Sequence, residues 1–465
     1  MKLISTNPAD DYKVIGHVDV STPEEINQKV TSAQKAKIAW KELGIAARIE
    51  LLRPIQSEFH DRTTEIAELI SRETGKPIAE AIGEVQRYTD IELEWFLENG
   101  IKALADETVF EDDESRHYVV YEPYGVVAAI APWNFPFGMA IWGIFPNLIA
   151  GNTVVFKISE ECPLVGKLIE QIITNHDLPE GVFSEVYGDG RVGKLLTEQP
   201  VDLIWFTGST ATGKSLYKTA ADKFIKVVLE MGGSSPCVVF DDVDVAEAAP
   251  VIFSGRFQHN GQVCSALKRL IVHEDIADRL VAELKKIVEQ QKIGDPLSAT
   301  CNRGSLVAER QITLLQEQYN DALNKGAKIA AQTKMPNDLK GAFFSPTLLT
   351  DITKDMRVWK EEVFGPVFPI VTFKTEAESV ELANDTQYGL TARVMSKDIE
   401  RARRVATKID AGAVSLNLES RFLPADPFGG YKNSGMGRER GIHGLRELCQ
   451  IKVIQEDKSM QVGEG

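Results

Sequence analysis

One cysteine, Cys264, stands in a stretch whose composition suits nucleophilic chemistry, FQHNGQVCSALKR at 257–269. Polar residues and a glycine precede it, and the residues after it, Ser265 to Leu267, predict the start of a helix. A thiol at a helix N-terminus faces unpaired N–H groups and the positive end of the helix dipole, which favour the nucleophilic thiolate. The alternative is an inert cysteine, because most cysteines are small buried apolar residues.

Two further clusters offer groups that such a nucleophile needs. The segment LEMGG ends an apolar run with Glu230 and two glycines, so it predicts a carboxylate at the end of a strand, where α/β sheets bind ligands. The segment PWNFP sets the amide of Asn134 between aromatic residues and prolines, and an amide N–H can donate to an oxyanion. Each cluster has a plainer interpretation, a solvated glutamate for the first and a rigid buried corner for the second.

A glycine-containing stretch, FTGSTATGKS at 206–215, is typical of a turn between a strand and a helix. Such a turn presents backbone N–H groups to a phosphate. The string GSTATGKS also matches, formally, the GxxxxGK[ST] pattern of nucleoside triphosphatases, so magnesium-dependent hydrolysis of ATP is one hypothesis. That activity would leave the cysteine, glutamate and asparagine clusters without a role.

Composition narrows the class of protein. A net charge of -16 over 465 residues argues against a nucleic-acid partner, since phosphate binding needs a basic surface. Five cysteines without a CxxC pair and seven histidines without HExxH spacing predict a reducing, cytoplasmic location and no metal site. The start of the chain lacks the apolar region of a secretory signal. The apolar stretch 126–156 is broken by prolines, which predicts packed elements and no membrane partner.

Two sequence patterns predict the elements that position these clusters: the spacing of amphipathic helices and the short apolar runs of buried strands. A capping box at 22–25 and helical spacing predict a helical scaffold without chemistry up to residue 104. Short apolar runs then alternate with helical ones from 126 to 230, and a second series follows from 237 to 396. This alternation is typical of parallel sheets covered by helices. It predicts two α/β domains that meet near residue 232, with an exposed strand at 117–122 and another from 451.

Taken together, the clusters resemble the NAD(P)-dependent aldehyde dehydrogenase superfamily, and parts of the chain look like bacterial succinate-semialdehyde dehydrogenases. PWNFP, FTGST, LEMGG, GQVC, EEVFGPV and PFGGYKNSG occur in the family's order along nearly the whole chain. The resemblance implies an α/β fold with two Rossmann-like domains and a small oligomerisation β-arm. It implies an NAD(P)-binding domain at 1–105 and 124–231, a catalytic domain at 232–435, and oligomerisation segments at 106–123 and 436–465, in a homodimer or homotetramer.

The resemblance also implies a role for each catalytic residue. Cys264 would attack the carbon of an aldehyde, and the amide of Asn134 with the backbone N–H of Cys264 would stabilise the resulting oxyanion. Loss of hydride to the nicotinamide ring would leave a thioester. Glu230 would then act as general base for the water that hydrolyses it.

Cofactor contacts are implied in the same way, with NAD expected and NADP as the alternative. A carboxylate at Glu160 would repel the 2′-phosphate of NADP. The residues that match the family's pyrophosphate, ribose and nicotinamide contacts are Trp133, Lys157, Glu160, Gly208, Ser209, Gly213, Glu362 and Phe364.

The substrate contacts depart from the succinate-semialdehyde group. Enzymes for that acid often carry arginines at the positions of Gln258 and Trp142. The implied tunnel is apolar and aromatic, which predicts an uncharged aliphatic or aromatic aldehyde. Arg256 is a candidate partner for a carboxylate, as is Arg421, with solvated surface arginines as the alternative. The predicted substrate contacts are Phe135, Trp142, Gln258, Arg421 and Phe428.

Three rival functions stay open at this point. A CoA-acylating aldehyde dehydrogenase would pass the acyl group to CoA, whereas Glu230 favours water. A catalytically silent homologue would have lost Cys264, Glu230 or Asn134, and all three residues are present. The third rival is the triphosphatase suggested by GSTATGKS. Separately, no role is predicted for Cys301.

Overall fold

The computed structural model describes residues 1–417 and 423–460. Its strands are β1 Lys2–Asn7, β2 Lys13–Asp19, β3 Glu107–Glu111, β4 Ser115–Pro123, β5 Val126–Ile130, β6 Thr153–Lys157, β7 Phe183–Glu185, β8 Leu203–Thr207, β9 Lys226–Glu230, β10 Ser235–Val239, β11 Leu267–His273, β12 Lys328–Gln332, β13 Thr347–Thr350, β14 Val367–Phe373, β15 Tyr388–Gly389, β16 Thr391–Met395, β17 Ala413–Leu416, β18 Tyr431–Lys432, β19 Gly435–Met436 and β20 Cys449–Asp457.

Its α-helices are α1 Pro23–Glu42, α2 Ile45–Asp61, α3 Thr63–Thr74, α4 Ile78–Arg87, α5 Glu94–Ala103, α6 Pro136–Ala150, α7 Pro163–Thr174, α8 Gly190–Glu198, α9 Thr210–Lys223, α10 Val245–Phe257, α11 Glu274–Glu289, α12 Glu309–Asn324, α13 Arg357–Lys360, α14 Glu376–Asn384, α15 Ile399–Ala406 and α16 Gly441–Glu447. A π-helical turn, Tyr88–Leu93, joins α4 to α5. None of the helices in the described ranges has the length and apolarity that crossing a bilayer requires.

Two larger sheets carry the architecture, as the alternating pattern predicts. The first has six strands in the order β19-β9-β8-β5-β6-β7, parallel except for β19. The second has seven strands in the order β12-β13-β14-β11-β10-β16-β17, parallel except for β12. In the first sheet the chain runs outward from β5 through β6 to β7 and then returns to the other side of β5 with β8. That reversal opens a crevice at the carboxyl ends of β5 and β8, where such sheets bind ligands.

The link between the sheets is short. Strand β9 ends at Glu230, and β10 of the second sheet begins at Ser235. Strand β10 pairs in parallel with β11, with Ser235 opposite Leu267. The carboxyl end of the first sheet therefore lies beside the amino end of the second, and the turn that precedes β11 is brought to the same place.

The N-terminal region differs from the prediction of an all-helical opening. The chain starts with an antiparallel hairpin, β1 and β2, and helix α1 follows with Thr22 as its N-cap, accepting from the N–H of Glu25. The hairpin was missed because its strands show no regular alternation of buried and exposed residues. No strand was predicted in the acidic stretch after residue 106, which contains the exposed strand β3.

The segments expected to pair between subunits pair within the chain. Strands β20, β4 and β3 form one antiparallel sheet with β4 at its centre. Both edges of β4 are therefore used inside the chain, and the expectation that β4 pairs with another subunit is corrected. The outer edges of β20 and β3 remain as the candidate contact surface, and the division into domains stays a prediction.

Candidate active site

Cys264 lies in a turn between a short 3-10 segment, Gln258–Gly261, and strand β11. The predicted helix after it is wrong, because Leu267 begins a strand that pairs with both β10 and β14. Without a helix dipole, burial raises the pKa of the thiol to about 12, the Lys268 ammonium pulls it down, and Glu362 and Glu230 push it up. The thiol is therefore protonated at neutral pH in the protein without cofactor.

Two residues in the left-handed region shape the approach to this turn. His259 and Asn260 have φ of 45° and 51°, a conformation that is costly for residues with a Cβ. The side chain of Asn260 donates to the carbonyl of Gly304, and the side-chain oxygen of Gln262 accepts from the N–H of Val307 at 3.1 Å. These bonds hold the strained loop in place.

Asn134 follows β5, in the turn that leads into α6. Its side chain is buried, and Nδ2 donates to the carbonyl of Gln262 at 2.9 Å. An amide nitrogen carries two hydrogens, so one fixes the amide to the nucleophile turn and the other remains for a substrate oxygen. The structure thus brings Asn134 to Cys264 through Gln262.

A buried ion pair that the sequence reasoning missed supports Asn134 from behind. Lys76 and Glu84 form a salt bridge with both side chains fully buried, and Lys76 Nζ donates to the carbonyl of Asn134 at 2.8 Å. Glu84 Oε1 accepts from the N–H groups of Phe137 and Gly138, each at 3.1 Å, at the start of α6. The sequence offered one signal for this ion pair: Glu84 is a charged residue that falls on the buried face of α4. The N-terminal helices are therefore part of the site.

Glu230, at the end of β9, is buried at 2% exposure, which excludes the interpretation as a solvated charge. Among the described residues, neither of its carboxylate oxygens has a hydrogen-bond partner. Burial raises its pKa well above the usual range, the nearby Glu439 adds to the rise, and Arg438 opposes it. Glu439 is a second buried carboxyl group in the same cavity, and no predicted motif pointed to its role.

The predicted pyrophosphate turn lies at the carboxyl end of β8, in the crevice between β5 and β8. Ser209 is the N-cap of α9 and accepts from the N–H of Thr212 at 3.2 Å. A Cβ on Gly208 would come within 2.5 Å of the Phe206 ring, and one on Gly213 within 2.3 Å of the Met231 sulfur. The backbone N–H groups at the start of α9 thus form a close-fitting anion site, which suits the pyrophosphate of a dinucleotide.

Glu362 and Phe364 line the same cavity. Glu362 Oε1 accepts from Lys268 Nζ at 3.0 Å and from the N–H of Gly233 at 3.1 Å. A Cβ on Gly232 would lie 2.0 Å from Glu362 Oε2, so only glycine permits this approach. The ring of Phe364 packs edge-on against Trp133 with centroids 5.5 Å apart.

Lys157 and Glu160 lie at the carboxyl end of β6, the strand next to β5. Lys157 is buried, its Nζ donates to the carbonyl of Ile158 at 3.0 Å, and Glu160 Oε2 is 4.0 Å away. Burial lowers the pKa of Lys157 and Glu160 opposes the shift. In the described structure, these two residues stand outside the lining of the cavity that holds Cys264. Their place at the carboxyl end of β6, next to the crevice at β5, suits the distal part of a dinucleotide.

The other end of the cavity is walled by aromatic rings. Trp142 packs against Tyr88 and against Phe428, each with centroids 5.6 Å apart, and Tyr88 is 6.5 Å from Phe135. Tyr88 belongs to the π-helical turn and was missed. The exposed Gln258 also lines the cavity, and its contact with the substrate stays a prediction. The cavity as a whole measures about 1010 Å³.

The arginines differ from the predictions. Arg256 neither reaches a substrate nor lies at the surface: it is fully buried and its guanidinium donates to the carbonyls of Val363, Gly365 and Val367. Arg421 lies outside the described residues.

Two unpredicted arginines line the aromatic end instead. Arg87 and Arg440 both pair with the buried Glu92, at 3.1 Å and 2.8 Å. Arg440 also lies 5.1 Å from the centroid of the Trp142 ring.

The chain is similar to known proteins over nearly its whole length. The model of the aldehyde dehydrogenase family matches residues 2–454. The peroxisomal aminoaldehyde dehydrogenase 1 of Pisum sativum is 38% identical over 468 residues, covering 97% of this chain and 92% of that protein. The succinate-semialdehyde dehydrogenase [NADP(+)] of Escherichia coli (strain K12) is 36% identical over 451 residues, covering 97% and 93%.

Among solved structures, betaine aldehyde dehydrogenase from Staphylococcus aureus in complex with NAD+ superposes with a TM-score of 0.93 at 33% identity, covering 99% of this chain and 92% of that one. The two α/β sheets and the crevice at β5 and β8 agree with the similarity that these proteins show over the whole chain. The chain belongs to the aldehyde dehydrogenase family and is an NAD(P)-dependent aldehyde dehydrogenase.

Proposed function

We propose that the enzyme oxidises an aldehyde to its carboxylic acid through a thioester on Cys264 that water hydrolyses. The observation that carries this proposal is the unpartnered carboxylate of Glu230 in the same cavity as Cys264 and Asn134. A buried carboxyl group with a raised pKa is suited to take a proton near neutral pH. Transfer of the acyl group to CoA would need no such base, which favours hydrolysis.

In the first half-reaction the thiol of Cys264 gives its proton to solvent water, and the thiolate Sγ attacks the aldehyde carbon. Asn134 Nδ2 and the backbone N–H of Cys264 stabilise the negative charge that develops on the substrate oxygen. Glu362 and the N–H groups at the start of α9 would hold NAD(P), which would supply the acceptor for the hydride that leaves this carbon as the thioester forms. Asn134 keeps its position because Gln262 and Lys76 bind it on both sides.

In the second half-reaction Glu230 takes a proton from water, and the hydroxide attacks the thioester carbon. The same two N–H donors stabilise the second oxyanion. Its collapse breaks the carbon–sulfur bond, which releases the carboxylate product and returns the electron pair to Cys264 Sγ.

For the substrate, we propose an uncharged aliphatic or aromatic aldehyde, and for the cofactor NAD in preference to NADP. The aromatic wall of Tyr88, Phe135, Trp142 and Phe428 supports the first, since apolar rings bind apolar tails. The carboxylate of Glu160 beside Lys157 supports the second, because it would repel a 2′-phosphate.

A semialdehyde with a terminal carboxylate is the second candidate. One observation favours it: Arg87 and Arg440 both line the cavity, and Arg440 lies beside the Trp142 ring. A relative that is 36% identical over 451 residues is named for succinate semialdehyde. A guanidinium group can pair with a carboxylate, although both arginines already contact Glu92.

We further propose a homo-oligomer located in the cytoplasm. All five cysteines are free thiols, which suits a reducing compartment. On β20, Ile451 and Val453 are 67% and 54% exposed, and exposed apolar residues at a sheet edge favour association. Light scattering coupled to size-exclusion chromatography would give the subunit number, and a monomer at all concentrations would contradict the oligomer.

Production of NADH by the purified enzyme tests the function directly. The panel sets benzaldehyde and hexanal beside succinate semialdehyde and betaine aldehyde, with and without CoA, and Cys264→Ala as the control. We expect the uncharged aldehydes to give the highest kcat/KM, a free acid as product without CoA, and no activity in the control. A preference for succinate semialdehyde would select the second candidate. A strict requirement for CoA would contradict hydrolysis.

A further inference from the structure

Lys268 lies fully buried at the start of β11, shortly after the nucleophile. Its Nζ is within hydrogen-bond distance of three carbonyl oxygens, those of Val263 at 2.9 Å, Cys264 at 3.1 Å and Gly233 at 3.2 Å. It is also 3.0 Å from Glu362 Oε1. An ammonium group carries three hydrogens, so these acceptors use all of its donors.

These contacts join two parts of the site that are distant in sequence. Val263 and Cys264 belong to the nucleophile turn, whereas Glu362 belongs to the segment expected to hold the nicotinamide ribose. Glu362 Oε1 is taken by Lys268 and by the N–H of Gly233. The described residues provide no hydrogen bond to its other oxygen, Oε2, which remains for a cofactor hydroxyl.

The charge of Lys268 matters in addition to its hydrogen bonds. The charged groups that act on the Cys264 thiol are Lys268, Glu362 and Glu230, and Arg256 acts in turn on Lys268. Lys268 lowers the pKa of the thiol, whereas both glutamates raise it. Without this ammonium the nucleophile would face two carboxylates and no neighbouring cation. A neutral donor would satisfy the three carbonyls but would not offset Glu362.

We propose that Lys268 is a positioning residue that ties the Cys264 turn to Glu362, so that the reactivity of the thiol and the hold on the cofactor ribose depend on one shared contact. This inference rests on the proposed roles of Cys264 and Glu362. A purely structural Lys268 would bind its carbonyls and leave the pH dependence of the thiol unchanged. The two interpretations therefore differ in a measurable way.

Alkylation of Cys264 by iodoacetamide, in protein free of cofactor, tests the first half of the proposal. The rate is followed from pH 6 to pH 10 by mass spectrometry of the peptide that contains Cys264, so that reaction at other cysteines is not counted. For Lys268→Met and Lys268→Gln we expect alkylation at pH 8 to slow by about tenfold, as a pKa rise of about one unit requires. Lys268→Arg retains the charge and should stay near the wild-type rate.

Lys223→Met is the matched control, since Lys223 also donates to backbone carbonyls, those of Thr197 and Gln199, away from the site. It should keep the wild-type profile. If Lys268→Met fails to fold, Lys268→Gln still decides, because its amide retains two N–H donors for the carbonyls and removes the charge.

Binding of NAD, measured by calorimetry, tests the second half. Lys268→Met and Glu362→Gln should each weaken binding by about tenfold, and the double variant should be no weaker than Glu362→Gln, because both act through one contact. A wild-type alkylation profile in Lys268→Gln, or additive losses in the double variant, would overturn the proposal. Alkylation needs no aldehyde, so failure of aldehyde oxidation in the wild type would count against the proposed function alone.

Discussion

The two ends of the cavity differ in the chemical groups that line them, which include backbone groups at one end and are aromatic side chains at the other. At the end expected to hold the cofactor, the expected contacts include the backbone: the start of α9 offers its N–H groups, and glycines 208, 213 and 232 permit approaches that a Cβ would block. At the other end the lining is side chain, with Trp142 in contact with both Tyr88 and Phe428.

This difference separates what is constrained from what is adjustable. A backbone surface changes only if the fold changes, so the cofactor end should tolerate little variation. A side-chain surface changes with one substitution, and it therefore sets the choice of aldehyde. Relatives with the same fold carry names for aminoaldehydes, betaine aldehyde and succinate semialdehyde, which agrees with an adjustable end.

The largest effect is expected where the two ends meet, at Cys264. Cys264→Ser should lower aldehyde oxidation by at least about a thousandfold, since removal of a nucleophile costs more than loss of any binding contact. Steady-state NADH production would measure it. Cys301→Ser, in a partly buried thiol outside the cavity lining of the described structure, should remain near the wild type, and equal losses in both variants would contradict the assignment.

Replacement of the base should separate the two half-reactions. Glu230→Gln should lower steady-state turnover by about a hundredfold but retain a first burst of NADH, because hydride leaves before water attacks. Stopped-flow absorbance at 340 nm, the wavelength of NADH, would show the burst. Loss of the burst together with turnover would contradict a role confined to hydrolysis.

The pH dependence of hydrolysis follows from the same residue. Burial and the neighbouring Glu439 raise the pKa of Glu230, and only the deprotonated form accepts a proton from water. Hydrolysis should therefore increase with pH, with a midpoint above the ordinary range of a carboxyl group. Glu439→Gln removes a negative neighbour, which should move the midpoint of kcat to lower pH; a move to higher pH would refute the coupling.

At the backbone end, a single methyl group should weaken the cofactor contact. Gly232→Ala would place a Cβ 2.0 Å from Glu362 Oε2 and displace that carboxylate. We expect the KM for NAD to rise by about tenfold to a hundredfold, the value of a hydrogen bond to a charged group, with a smaller change in the KM for the aldehyde. Gly190→Ala is the control, since a Cβ there meets nothing within 4 Å.

At the side-chain end, a substitution should change the preference between aldehydes without loss of aldehyde oxidation. Gln258→Arg adds a cation to the exposed rim of the cavity and should raise kcat/KM for succinate semialdehyde by about fivefold relative to hexanal, as expected for a partly solvated charge contact. Gln258→Met, similar in length but uncharged, should not. A comparable change of cofactor KM in Gln258→Arg would break the distinction between the two ends.

Local features of the chain could be predicted from the sequence. Strands β5 to β9 lie within the predicted series of apolar runs from 126 to 230, and α1 begins after its predicted N-cap, because apolar runs and capping residues act on their neighbours. The motifs identified the family, which comparison confirmed. Predicted residues from all six of these motifs, among them Cys264, Glu230 and Asn134, line one cavity.

Other features could not be predicted because they depend on residues distant in sequence. Ala266 and Leu267 favour a helix by themselves, but pairing of β11 with β10 and β14 made Leu267 the start of a strand. The buried pair of Lys76 and Glu84 reaches Asn134 from the N-terminal helices. Burial is a property of the packed molecule, so the raised pKa of Glu230 could not be read from its neighbours in the chain.

The sequence by itself determined which segments become parallel strands and which carry the reactive groups, since periodicity, caps and glycines are local. Only the tertiary structure decided how these groups meet. Glu230 ends a strand of the first sheet, and Cys264 precedes a strand of the second. They share a cavity because β10 follows β9 after a short link and pairs with β11, and hydrogen bonding between strands acts across any distance in sequence.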